Sequence, residues 1–177
     1  MRGLIKNIVR FILFVFFQVF VLDKVLLHQM LTPYLYLLFI LWLPFKINRT
    51  VLMLVGFFLG YTIDSFRHQP GFHAAACLLI AYTRPFVINL LISQQGAESN
   101  YDEPSIKSMG GMSPYLIYIG ILILLHNSWL ILLESWQFAD AGYFFLKTIL
   151  SSVLCFLLIV VTEMIFSRNQ KFKTNTV

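Results

Sequence analysis

The chain reads as an all-α integral membrane protein, a bundle of six transmembrane helices in a single domain covering residues 1–177. Three observations predict this. Hydrophobic residues make up 59% and charged residues 12% of the 177, with a mean hydropathy of +0.79, which is too little polar side chain to cover a globule in water. The apolar residues fall in six runs separated by charge and proline. The basic residues gather on alternate sides of those runs.

The runs are Leu4–Leu22, Leu31–Phe45, Thr50–Ile63, Phe72–Ile92, Pro114–Leu133 and Tyr143–Phe166. The first follows Arg2, Lys6 and Arg10 and imitates a secretory signal, but Asp23 and Lys24 stand where small residues should mark cleavage, so it is expected to be retained. The second and third runs are short, and the tight link from Lys46 to Arg49 leaves a bent hairpin as the alternative to two full spans. Residues 93–113 form a polar loop, read as a flexible cytoplasmic linker, and residues 167–177 a cytoplasmic tail. Placing both termini inside puts Arg2, Lys6, Arg10, Lys46, Arg49, Lys107, Arg168, Lys171 and Lys173 on the cytoplasmic side and only Lys24 and Arg67 outside. An odd number of spans would spoil that asymmetry.

The net charge of +5 is not interleaved with stacking aromatics, so nucleic acid is not an expected partner. Cys77 and Cys155 each lie in an apolar run and are expected to pack as small hydrophobes. The sequence contains no HExxH, GxSxG or phosphate-cradling glycine loop, and His73 and His126 lack companion ligands nearby in sequence, so no catalytic residue, cofactor or metal is assigned.

The residues that stand out are structural or interaction candidates. Gly56, Gly60 and Asp64 recur every four positions and share one helical stripe, which suits close intramolecular packing or a dimer face. Asp64 is placed to pair with Arg67 or to cap local amides. His73 and Arg84, eleven apart, mark the ends of one face of the fourth run, with Ala74, Cys77 and Ala81 between them. Arg84 lies deep in the hydrocarbon and needs a partner, for which Glu163 near the end of the sixth run is the candidate. Pro85 follows it and is expected to kink the helix. His126 and Asn127 sit among leucines and isoleucines, as interhelical glue or as the lining of a small-molecule site.

A basic N-terminus precedes Phe17-Gln18-Val19, and then come Pro33-Tyr34-Leu35-Tyr36 and Leu43-Pro44-Phe45. Gly60-Tyr61-Thr62-Ile63-Asp64-Ser65-Phe66, Pro70-Gly71-Phe72-His73-Ala74-Ala75-Ala76 and Arg84-Pro85-Phe86 follow. In order and local wording these stretches resemble the rod shape-determining MreD family, in particular its Bacteroidetes-type members. The span from Gly60 to Phe86 is the most specific part. The resemblance implies a non-enzymatic subunit of the elongation machinery in the bacterial inner membrane. Its implied partners are MreC, the actin-like MreB and the glycosyltransferase and transpeptidase that build peptidoglycan. It also implies a six-helix fold similar to the substrate-binding subunits of energy-coupling-factor vitamin transporters. Such a vitamin-capturing subunit, with His73, His126 and Asn127 around a ligand, is the alternative function. Against it, the run Leu4–Leu22 lacks the alanines by which those subunits dock. An intramembrane enzyme is a third class, for which no nucleophile or metal constellation can be assembled.

Overall fold

The computed structural model describes residues 2–24, 33–92, 102–135 and 141–165. Five long helices dominate them: α1 (Arg2–Phe20), α3 (Arg49–Arg67), α4 (Phe72–Leu91), α5 (Met112–Glu134) and α6 (Ala141–Ile165). All five are long and apolar enough to cross a membrane, so the chain is an all-helical multi-pass membrane protein. A short 3-10 turn, Leu22–Lys24, follows α1.

The second apolar run departs from the expectation of a spanning helix from Leu31 to Phe45. Its described part contains only α2, the five residues Leu37–Leu41, with non-helical backbone before and after. Every residue from Tyr34 to Leu43 is buried. Hydropathy cannot separate such a segment from a transmembrane helix, because a stretch enclosed on all sides is apolar on all sides whatever its backbone does. Pro33 and Pro44 bracket it, and each biases the preceding residue away from helix. The segment runs lengthwise through the bundle: Tyr34 N–H reaches Cys155 Sγ at 3.1 Å, whereas Trp42 Nε1 reaches Glu163 at 2.9 Å, eight residues further along α6.

Around this segment α3, α4, α5 and α6 pack as successive antiparallel neighbours, and α1 rests against α3 and the buried segment. The tightest seam is α3 on α4. A Cβ added at Gly56 would lie 3.0 Å from Ala81 Cβ and 3.1 Å from Cys77 O. One added at Gly60 would collide with His73 O and stand 2.5 Å from Ala74 Cα. The glycine stripe is thus consumed within the chain, by the small-residue face of α4 that carries Ala74, Cys77 and Ala81, and the dimer-face reading is not what these residues serve. α4 continues through Pro85 to Leu91.

The linker is only partly as expected. Residues 93–101 lie outside the described residues, as does the tail 167–177. Residues 102–111, however, are folded against the bundle, with Glu103, Ser105, Ser108 and Met109 buried and Asp102 O accepting from Phe45 N–H at 2.9 Å. Glu103 anchors this stretch by accepting from Lys6 Nζ at 2.8 Å and from Arg10 Nη1 at 3.0 Å.

Gly60→Ala is expected to destabilise the protein by about 1–3 kcal/mol, because backbone rather than a movable side chain occupies the space a methyl would take. Gly120→Ala meets only the Phe156 ring at 3.9 Å and should be neutral or stabilising by up to about 1 kcal/mol through helix propensity. Thermal unfolding of both variants in the same detergent checks the contrast.

Candidate functional site

Two polar clusters and a ring box between them occupy the bundle interior. The first lies where α3 turns into α4. His68 caps α3 in the left-handed conformation (φ 55°) and Gly71, at φ 100°, precedes α4. That turn brings Asp64 back onto the opening of α4, where its carboxylate accepts from His73 N–H at 3.1 Å and Ala74 N–H at 2.8 Å. Asp64 therefore supplies, from the neighbouring helix, the cap that Gly71 has no side chain to provide, and it sits at the positive end of the α4 dipole. Capping local amides was one of the two expected roles. The other, pairing with Arg67, is replaced by a longer chain of contacts.

That chain runs through His73. Asp64 Oδ1 also accepts from His73 Nδ1 at 3.0 Å, and His73 Nε2 lies 3.1 Å from Arg67 Nη1. A guanidinium can only donate, so His73 carries its proton on Nδ1 and offers the Nε2 lone pair to Arg67. Arg67 in turn grips Asp23, at 2.6 Å and 2.9 Å, and lies over the Tyr34 ring at 5.5 Å. Gln18 joins the cluster by donating to Asp23 at 2.9 Å.

The second cluster surrounds Arg84, which is 1% exposed. Its guanidinium donates to the Leu43 carbonyl and, from Nε at 3.0 Å, to Tyr118 Oη; Tyr118 passes a hydrogen bond to Leu41 O at 3.1 Å. The expected Arg84–Glu163 ion pair is not among the ion pairs of the described residues. Glu163 instead accepts from Trp42 Nε1. Both groups are committed to the buried segment, Arg84 because the non-helical backbone there exposes carbonyls that need a donor.

Between the clusters, His73 and His126 flank Tyr34 and Tyr36, with ring centroids 5.6–5.9 Å apart. His126 Nε2 lies 2.9 Å from Tyr36 Oη, and its Nδ1 lies 3.1 Å from Asn127 Oδ1, while Asn127 Nδ2 donates to Ser152 Oγ at 3.1 Å. Sequence separation concealed this convergence. The two tyrosines stand in the space a ligand between the histidines would need, and the described residues contain no group of three or more His, Cys, Asp or Glu able to hold a metal ion. Cys77 and Cys155 are buried thiols.

Sequence reasoning missed Gln18, whose amide serves the buried backbone twice, donating to Pro33 O at 2.9 Å and accepting from Leu35 N–H at 2.9 Å. It also missed Asp23, Tyr118, Trp42 and Glu103. A signal existed for Gln18, the one polar residue in the stretch Phe11–Phe20, which in a membrane implies a fixed polar partner. No protein-family model, curated protein or solved structure matches the chain.

Gln18→Leu should cost upward of about 2 kcal/mol, since it orphans one buried acceptor and one buried donor at about 1–3 kcal/mol each. Thermal unfolding in detergent against Asn7→Leu, a half-buried position near the end of the same helix, checks it. The pH dependence of the Glu103 anchor has a definite sign. Burial raises the Glu103 carboxyl, but the bonds and charges of Lys6 and Arg10 outweigh it and hold the pKa below its ordinary value. A lowered folded-state pKa means stability that is complete above the usual glutamate range and lost as pH falls through the depressed value. Glu103→Gln should therefore cost about 1–2 kcal/mol at pH 7, Lys6 counting little because it is half exposed. The gap from the parent protein should close below about pH 4; unfolding measured from pH 7 to pH 3 tests this.

Proposed function

We propose that the protein is a non-catalytic membrane subunit of the bacterial cell-elongation machinery, a scaffold for MreC and the peptidoglycan synthases. The observation that carries this reading is the use made of the buried ionisable groups. Asp64, His73, Arg84, Glu103, His126 and Glu163 each bond to a different segment of the chain. Side chains spent in this way tie segments together, as a rigid body offering its surfaces to other membrane proteins requires.

The sequence resemblance to the MreD family supports the same reading, and its most specific stretch, Gly60 to Phe86, coincides with the α3–α4 seam and its polar ends. In this reading the segment from Pro33 to Asn48, buried as far as Leu43, completes a sixth passage through the inner membrane. Both termini then face the cytoplasm, in keeping with the basic residues at the Glu103 end. MreC, MreB and the glycosyltransferase and transpeptidase of elongation are the partners.

Affinity isolation from mild detergent, with identification of the proteins that travel with the chain, is the test. Recovery of MreC with elongation enzymes is the expected result. Recovery of nucleotide-hydrolysing transporter subunits, or of a retained vitamin, would overturn the proposal in favour of a transporter subunit.

A further inference from the structure

A groove of about 310 Å³ separates α1 from α3. Ile8 and Phe11 form one wall, Val51 and Val55 the other, and Phe39 and Leu43 of the buried segment lie at its floor. Its lining is apolar except for Asn7. Aliphatic and aromatic walls of this kind suit a hydrocarbon chain.

The groove begins, at Leu4, Asn7 and Ile47, on the end of the molecule that holds Glu103. Lys6, Arg10, Lys46, Arg49 and Lys107 stand at that end against Asp102, Glu103 and Glu163 among the described residues. Lys46 is exposed and adjoins Ile47 at the mouth. An excess of basic side chains beside an apolar slot matches a phosphate joined to an acyl chain.

We propose that this groove binds an anionic phospholipid of the bilayer, one acyl chain lying between α1 and α3 and the phosphate held at Lys46. The acyl chain then lies against Phe39 and Leu43, at the edge of the non-helical segment. This inference stands apart from the proposed scaffold role.

The experiment compares the full-length protein in phosphatidylcholine vesicles with and without phosphatidylglycerol, by thermal unfolding and by native mass spectrometry of the extracted protein. The expected result is a higher unfolding temperature with phosphatidylglycerol and a single retained phosphatidylglycerol per chain. Val51→Phe, which fills the slot, and Lys46→Glu should both abolish the temperature increment. For Lys46→Glu the retained lipid should fall about ten- to thirtyfold, one attraction being lost and one repulsion gained. Lys46 is exposed, so its variant tests the proposal even if Val51→Phe does not fold. Equal unfolding temperatures in the two lipid mixtures, undiminished lipid in Lys46→Glu, or a dimer mass in place of the retained lipid would each overturn it.

Discussion

A buried backbone outside a helix has to find hydrogen-bond partners that a bilayer cannot supply, and this constraint organises the protein. A spanning helix satisfies its own amides and carbonyls, whereas a segment with only five helical residues does not. Along Pro33–Leu43 the deficit is met from every side: Gln18 of α1 takes Pro33 O and Leu35 N, Cys155 of α6 takes Tyr34 N, Tyr118 of α5 takes Leu41 O, and Arg84 of α4 takes Leu43 O. Four polar groups on four helices, otherwise costly in hydrocarbon, have one shared purpose. This also accounts for a buried guanidinium held by a carbonyl and a phenol: the carbonyl needed a donor that could reach it, and an arginine on the close-packed α4 reaches.

The α3–α4 seam makes those reaches possible. Gly56 and Gly60 let the two helices approach until a methyl at position 60 would meet backbone, and that approach puts His73 and Arg84 on the buried side, about 16 Å apart along α4. Asp64 then closes the seam at one end by capping the helix that carries His73. The same carboxylate begins the relay through His73 and Arg67 to Asp23, so the closing of α3 on α4 and the docking of the chain just after α1 are linked through one set of hydrogen bonds.

Much of this was legible in the sequence and part was not, for physical reasons. The five long helices were legible because lipid-facing surfaces must be apolar for about 20 residues, and the expected bounds agree with the structure to within a few residues. The small-residue face of α4 and the stripe on α3 followed from helical periodicity, as did the capping role of Asp64 from its place before a turn. The buried segment was not legible as what it is, since period and hydropathy report environment and its environment is apolar all round. From that one error came the mistaken Arg84–Glu163 pair: two charges were matched with each other because the backbone and indole groups they serve lie in a stretch read as a self-sufficient helix. The nearness of His73 to His126 depends on the two tyrosines between them, and no local pattern encodes that.

The attachment of α1 follows from the absence of a hydrophobic drive between helices in lipid. Leu4, Ile5, Ile8, Ile12, Leu13 and Phe16 remain exposed, and burying them against protein instead of acyl chains would gain little. What holds α1 is therefore polar or aromatic. Lys6 and Arg10 grip Glu103 near one end, Gln18 grips the buried backbone near the other, and Phe11 on Phe39 and Phe14 on Trp42, at 5.5 Å and 5.6 Å, add edge contacts between. Arg10 doubles as a cation over the Trp42 ring at 5.1 Å, and Trp42 is the residue that also engages Glu163 of α6. The strength of this attachment thus resides in a few directional contacts that reach through the buried segment to the far side of the bundle, and a change in the register of that segment would be felt at α1 and α6 together.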